Sequence, residues 1–181
     1  MRLRIGSVAA GGTGVIPRFG AALVCVAAAL AADGARAQLP DAIAAHDAAP
    51  LFTLHAEGAQ IYECRAGADG KLDWTFREPI ASLMLDGRTV GRHYAGPTWE
   101  HGDGSSITAK VVGTAPGTTA ADIPWLKLEV VERRGSGALA GAHFVQRINT
   151  VGGVLHGSCE RAGSLRSVAY AADFVFRRKD R

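Results

Sequence analysis

Asp-Gly pairs at an even spacing are the feature that most restricts the fold of this chain. They are Asp69-Gly70, Asp86-Gly87 and Asp103-Gly104, each 17 residues from the next. Asp-Gly accepts the positive φ angles of tight hairpin turns, and each interval has room for two strands with their turns. No twelve-residue window after residue 37 shows an amphipathic helical stripe. The pattern predicts an antiparallel meander of hairpins over residues 59–112.

Alternation of apolar and polar residues extends this meander towards the C-terminus. Strands are predicted at Gln60–Arg65, Lys71–Glu78, Ile80–Leu85, Arg88–Tyr94, Thr98–His101, Ser105–Val112, Trp125–Glu132, Ala142–Thr150 and Val168–Arg177. So many strands do not stay flat and open in a chain of 181 residues. We therefore expect a single-domain all-β fold, an antiparallel β-barrel or β-sandwich.

The side chains of the first hairpin predict its register. Trp74 and Phe76 alternate with polar residues and should share a buried face with Tyr62 and Cys64. A two-residue loop would place them opposite charged residues instead. An odd-numbered loop such as Ala66–Gly70 keeps the apolar face together and sets Trp74 opposite Tyr62.

The first 37 residues have the pattern of a Sec-type signal peptide. Arg2, Arg4 and Arg18 form a basic leader before the apolar run Phe19–Ala32. A bilayer span needs about 20 apolar residues, more than this run contains. The small-x-small sequence Ala35-Arg36-Ala37 predicts cleavage after Ala37, and with it a periplasmic or secreted protein without a stable membrane span.

Charge argues against a nucleic-acid partner. The leader holds four of the 20 Lys and Arg residues and one of the 17 Asp and Glu residues, so the remainder carries no formal net charge. Nucleic-acid binding needs a basic stripe that neutralises phosphates, whereas the one dense basic cluster is the C-terminal Arg177–Lys179.

Cysteine usage fits an exported domain. Cys25 lies within the leader, which leaves Cys64 and Cys159 as a pair. Two cysteines in an oxidising compartment form a disulfide, and they lack the CxxC spacing of a metal site. We divide the chain into a signal peptide (1–37), an extended N-terminal lead-in (38–58) and an all-β domain (59–178).

The densest chemistry lies between residues 91 and 104. If Gly96-Pro97 forms a turn, His93 lies beside Glu100 across a hairpin, where a carboxylate can orient an imidazole. If the segment is straight, His93 and His101 are too far apart to share a metal. His93, Glu100 and His101 are thus weak metal candidates, and the alternative is that they are hydrogen-bonded rim residues.

An arginine in a later strand is the other notable residue. Arg147, with Gln146 and Asn149, would line a pocket if it faces inward, because an interior arginine in a small barrel needs a partner or a ligand. Our candidate ligand-binding residues are His93, Tyr94, Trp99, Glu100, His101, Asp103 and Arg147. We assign no catalytic residue and no cofactor, since the sequence has no Gly-x-Ser-x-Gly elbow and no prominent acidic pair.

Several segments together resemble a known family. They are Gln60-Ile61-Tyr62-Glu63-Cys64, His93 to Glu100, Asp103-Gly104-Ser105, Ile123 to Leu126, Gln146 to Thr150 with Gly152-Gly153, and Tyr170 to Phe174. In order and spacing they are similar to a secreted bacterial and fungal family of domains of unknown function, number 3455. Fungal members often carry a malate dehydrogenase label, but this chain has no βαβ unit and no dinucleotide fingerprint after a strand.

Two classes of function remain open at this point. The first is a non-enzymatic binding module that meets an unknown small molecule, a glycan or an envelope protein. The second is a small hydrolase or metal-dependent enzyme that uses His93, Glu100 and His101, with Arg147 stabilising an anion.

Overall fold

The computed structural model of this protein describes residues 39–180. Within these residues, eight strands form one closed antiparallel barrel, in which each strand pairs with the next and the last pairs with the first. They are β1 (Ala48–Ala66), β2 (Leu72–Leu85), β3 (Arg88–Tyr94), β4 (Thr98–His101), β5 (Ser106–Ala115), β6 (Trp125–Arg134), β7 (Phe144–Gly152) and β8 (Leu165–Lys179). The expected all-β antiparallel fold is confirmed, as a barrel. The predicted signal peptide and its cleavage position lie outside the described residues.

The barrel has two ends with different loops. The loops that follow β1, β3, β5 and β7 meet at one end, which we call the upper end, and those that follow β2, β4 and β6 meet at the lower end. Fully buried apolar side chains fill the lower half, among them Leu54, Leu83, Ile107 and Phe176. The core therefore lies in the lower half of the barrel.

Two short 3-10 helices pack against the strands. The first, Asp41–Ile43, lies against β5 and β6, where the Gln146 side-chain amide donates a hydrogen bond to the Ile43 carbonyl oxygen at 2.6 Å. The second, Ala138–Gly141, contributes the fully buried Leu139 to the core. No helix within residues 39–180 is long and apolar enough to cross a membrane.

The turn signals behave as their chemistry predicts. Asp86 and Gly87 both have positive φ, 49° and 73°, and form a two-residue turn between Leu85 and Arg88. This is the backbone conformation that favours Asp-Gly in a tight hairpin. Gly70 and Gly104 also have positive φ, 77° and 85°, in the loops that join β1 to β2 and β4 to β5.

The predicted register of the first hairpin was wrong by two residues. Tyr62 lies opposite Phe76 and Cys64 lies opposite Trp74, so the odd loop is residues 67–71 rather than 66–70. The aromatic face is preserved because a shift of two residues keeps every side chain on its side of the sheet. Phe76 is nevertheless 49% exposed rather than buried, because it lies at an opening in the barrel wall.

Two strands extend beyond the predicted limits. β1 begins at Ala48, so most of the segment interpreted as a lead-in is strand paired with β8. β2 continues through Pro79, where the sequence pattern predicted a break between two strands. Proline is accommodated because β3 pairs with β2 only from Ala81 onwards, which leaves one edge of β2 without a β3 partner at Pro79.

The shortness of the β3–β4 hairpin leaves an opening in the side of the barrel. β3 reaches β2 only at residues 81–85, and β4 reaches β5 only at residues 106–108. The upper parts of β2 and β5 therefore face each other across a gap above the hairpin loop Ala95–Pro97. We call this gap the side opening.

The loop between β7 and β8, here called the strap (Gly153–Ser164), lies at the upper end. The Tyr62 hydroxyl donates to the Gly153 carbonyl oxygen at 2.7 Å, and Ser158 forms a β-bridge with Asp73 of β2. The predicted disulfide is confirmed and joins Cys64 of β1 to Cys159 of the strap. These contacts tie the strap to the first two strands.

Removal of the disulfide should destabilise the protein strongly. The bridge closes a chain segment with a sequence separation of 95, which corresponds to about 4 to 5 kcal/mol in the chain-entropy model. We expect the double variant C64A/C159A to lose about 4 kcal/mol of unfolding free energy, measured by urea denaturation. A loss below about 1 kcal/mol would contradict this account.

Candidate functional site

The upper half of the barrel contains a cavity of about 490 Å³. It lies above the core and is bordered by residues of the side opening: Phe76, Arg77 and Pro79 of β2, Ala95 to Pro97 of the hairpin loop, and Val111 of β5. Most of its wall is apolar or aromatic. Size, concavity and an apolar wall with few polar groups are typical of a small-molecule site.

Stacked rings form the floor of this cavity. His93 of β3 and Trp99 of β4 are direct cross-strand partners, and their rings stack at a centroid distance of 4.5 Å. Phe174 of β8 meets both rings edge-on, at 4.9 Å from His93 and 5.2 Å from Trp99. The floor is rigid because three strands fix its rings in one packed cluster.

His93 is neutral and has a defined tautomer. Its Nδ1 lies 2.8 Å from the Thr98 carbonyl oxygen, which accepts only, so Nδ1 carries the proton and Nε2 keeps a lone pair. Burial lowers the pKa of His93 to about 4, and the positive charge of Arg147 contributes in the same direction. The imidazole is therefore a hydrogen-bond acceptor in the cavity wall at neutral pH.

Arg147 brings a positive charge into the cavity wall. It lies opposite Leu126 of β6 and Phe174 of β8, and its Nε and Nη2 donate to the Pro124 carbonyl oxygen at 3.1 and 2.9 Å. Burial lowers the pKa of Arg147 to about 10, so the guanidinium stays charged at neutral pH. Within residues 39–180 it has no carboxylate partner within 4 Å.

Buried hydrogen-bond donors near the cavity lack acceptors. The Gln60 Nε2 and Trp99 Nε1 atoms have no partner within the described part of the chain, and both residues line the cavity. Gln60 is 2% exposed and Trp99 is 1% exposed. The Tyr170 hydroxyl, also buried, has no partner either, and burial raises its pKa to about 12. Buried polar atoms are nearly always hydrogen-bonded, so these unpaired donors require an explanation.

The structure separates the candidate residues into three places. His93, Trp99 and Arg147 line the cavity. Tyr94 and Glu100 belong to a network on the outer face of the barrel, where Glu100 accepts hydrogen bonds from Arg92 at 2.9 Å and from Tyr94 at 3.0 Å. His101, the last residue of β4, and Asp103, in the β4–β5 turn, lie at the lower end. For all seven residues, ligand binding stays a prediction.

The expected neighbourhood of His93 and Glu100 was wrong. The hairpin loop has three residues, so Trp99 faces His93 and Glu100 faces Arg92. A register change of one residue moves each side chain to the other face of the sheet, and Glu100 thus points away from the interior. No group of three His, Cys, Asp or Glu side chains between residues 39 and 180 is arranged to hold a metal ion.

Asp103 organises the lower end of the barrel. Its carboxylate accepts hydrogen bonds from the Ser105 hydroxyl at 2.6 Å, the Ala138 amide at 2.7 Å and the Ser105 amide at 2.9 Å. These hydrogen bonds hold the pKa of the Asp103 carboxyl well below its usual range, and the bond from the Ser105 hydroxyl has the largest effect. Asp103 thus joins the β4–β5 turn to the second 3-10 helix.

The sequence analysis missed one important cavity residue and misplaced two others. Gln60 shares a face with Tyr62 and Cys64, so the alternation of this strand already indicated that it points inward. Of the two neighbours of Arg147, Gln146 is buried beneath the first 3-10 helix and Asn149 donates to Asp173 on the exposed surface at 2.9 Å. Only Arg147 of the three lines the cavity.

Neutral, buried His93 should make the protein less stable in acid. Between the ordinary histidine pKa of about 6.5 and the folded value of about 4, the unfolded chain binds a proton that the folded chain excludes. Stability therefore falls as the pH falls through this window, by up to about 3 kcal/mol. His93→Phe retains an aromatic ring on Trp99 but cannot titrate.

Urea unfolding of both proteins at several pH values measures this effect. Relative to the wild type, His93→Phe should gain about 2 to 3 kcal/mol between pH 7 and pH 4, whatever its starting stability. Parallel pH profiles would show that His93 does not titrate in this window.

Replacement of Asp103 should produce a pH dependence of the same sign at lower pH. The side chain of Asp103→Asn has one acceptor oxygen and one donor NH2 group. If the NH2 group faces the Ala138 N–H, two donors meet, and if it faces Ser105, the two Ser105 donors lose their acceptor. In either orientation the melting temperature should fall at pH 7. Because the folded pKa of Asp103 is depressed, its stabilisation is present above the unfolded pKa of about 4 and is lost as the pH falls towards the folded value. The difference in melting temperature between the wild type and Asp103→Asn should be constant between pH 8 and pH 5 and should narrow below about pH 4. A difference that does not change in acid would contradict the depressed pKa of Asp103.

Comparison with known proteins identifies a family. The family model described as "Protein of unknown function (DUF3455)" matches residues 44–87 and 84–178. These ranges span all eight strands, and the chain belongs to this family. No curated protein matches the chain, and no solved structure matches it.

Proposed function

We propose that this member of the DUF3455 family is a non-enzymatic binding module of the periplasm or extracellular space, which holds a small, largely apolar molecule inside its barrel. The observation that carries the proposal is the cavity of about 490 Å³, with buried donors that lack acceptors in its wall. A ligand that enters through the side opening would fill the cavity and cover the exposed apolar rim.

The rim of the side opening supports this proposal. Phe76 is 49% exposed and Val111 is 51% exposed, and both lie where the cavity meets the side opening. Large apolar side chains at the mouth of a concave site favour an apolar ligand, since its binding removes their surface from water. A glycan, by contrast, would need several polar partners, whereas Arg77 is the one polar side chain among the described residues of this rim.

The chemistry of the cavity wall favours binding over catalysis. Among its described lining residues there is no serine, threonine, cysteine, aspartate or glutamate, the groups that act as nucleophiles or carboxylate bases. His93 is locked to the Thr98 carbonyl oxygen, and Glu100 and His101 lie outside the cavity. The hydrolase or metal-enzyme alternative gains no support from this arrangement.

The covalent framework is compatible with an exported protein. Disulfides form and persist in oxidising compartments, and here a bridge ties β1 to the strap above the cavity. An exported barrel with a fixed strap and a side opening can hold its ligand without a large conformational change.

Binding of an uncharged fluorescent probe tests the proposal. N-phenyl-1-naphthylamine should bind with one-to-one stoichiometry and gain fluorescence. Val111→Trp should weaken its binding by about tenfold or more, because the added ring fills the mouth of the cavity. Val112→Trp is a matched control, since Val112 is 48% exposed on the same strand but does not line the cavity.

The two variants separate cavity binding from surface adsorption. We expect the affinity of Val112→Trp to stay within about twofold of the wild type. Equal effects of both variants, or no saturable binding to the wild type, would refute the cavity as the ligand site.

A further inference from the structure

We propose that the ligand is an amphipathic monocarboxylate whose carboxylate binds Arg147 while its apolar body occupies the rest of the cavity. This inference rests on the proposed function and adds the chemical class of the ligand. The cavity wall contains two arginines, of which Arg77 is paired with carboxylates and Arg147 has no carboxylate partner within residues 39–180.

The two arginines of the cavity wall differ in whether a carboxylate lies beside them. Arg77, the other cation that lines the cavity, already pairs with Glu78 at 3.1 Å and lies 3.9 Å from Glu63. Within residues 39–180, Arg147 has only the Pro124 carbonyl oxygen as an acceptor. A charge removed from water without a counter-ion is costly, and an anionic ligand would offset that cost.

The geometry of the guanidinium leaves a suitable face free. Nε and one N–H of Nη2 are used by Pro124, so Nη1 and the second N–H of Nη2 remain for a ligand. These two nitrogens form a fork that can bind both oxygens of a carboxylate. The contact adds a second acceptor to the arginine without displacing the first.

Neighbouring groups fit the same anion. The Gln60 amide and the Trp99 indole line the same cavity and each have an N–H without an acceptor in the described part of the chain, so the wall around the arginine carries unpaired donors and no carboxylate. A ligand with a single negative charge is favoured, because a dianionic phosphate would bring two negative charges to one unpaired cation, Arg147. The remaining wall, including Leu126, Leu128 and Phe174, suits an aliphatic or aromatic body.

Displacement of N-phenyl-1-naphthylamine by a matched pair of ligands tests the carboxylate. Octanoate and 1-octanol share an eight-carbon chain and differ in the charged group. We expect octanoate to displace the probe from the wild type at a concentration at least about tenfold lower than 1-octanol requires, because a hydrogen bond between charged groups is stronger than one to a hydroxyl. Octylamine, which carries a positive charge, should be weaker than both.

Variants then assign the preference to one residue. Arg147→Gln should abolish the difference between octanoate and octanol, and Arg147→Lys should retain part of it because the charge remains. Arg77→Gln is the matched control, a cavity arginine that is already paired, and should keep the full difference. Circular dichroism confirms that each variant is folded.

The outcomes distinguish this inference from the proposed function. Equal displacement by octanoate and octanol from the wild type would overturn the carboxylate while leaving the cavity as a ligand site, and this result needs no variant. A preference that survives in Arg147→Gln but disappears in Arg77→Gln would move the anion to the rim and overturn the role of Arg147. Absence of saturable probe binding would instead refute the cavity itself.

Discussion

Closure of the sheet by the pairing of β1 with β8 is the constraint on which the rest of the structure depends. The two strands pair from Ala48 opposite Lys179 to Glu63 opposite Leu165, almost their full length. A closed sheet has an interior that excludes water, and every inward position of eight strands then faces that interior. The depressed pKa of His93, the charge of Arg147 within the wall and the unpaired donors of Gln60 and Trp99 all follow from this enclosure.

The unequal length of the strands converts a filled barrel into one with a cavity. Small barrels are commonly filled by their own side chains, and the lower half of this one is. Above the floor of His93 and Trp99 the short β3–β4 hairpin ends, and the upper parts of β2 and β5 are separated there by the side opening. The same hairpin therefore supplies the floor of the cavity and, by ending early, the side opening.

Local chemistry made some of this fold predictable, and long-range pairing decided the rest. Asp86-Gly87 formed the expected turn because its backbone preference acts within a few residues. The start of β1 at Ala48 was missed because alanine and proline are poor strand formers, and the strand exists there through its pairing with β8. The neighbourhood of Glu100 depended on whether one loop has two or three residues, which the sequence Ala95-Gly96-Pro97 does not reveal. The inward direction of Arg147, by contrast, agrees with the expectation that an interior arginine lines a pocket.

The polar groups of the cavity are held by main-chain carbonyls rather than by carboxylates. Thr98 provides the carbonyl that orients His93, and Pro124 provides the one that orients Arg147. A carbonyl oxygen fixes the position of a donor but carries no net charge, so it orders the arginine without neutralising it. An aspartate in the place of the Pro124 carbonyl would have given the arginine a permanent counter-ion. The arrangement instead keeps the guanidinium both positioned and electrostatically unsatisfied in an apolar enclosure, which is the reason we propose that its counter-ion is an anion from outside the chain.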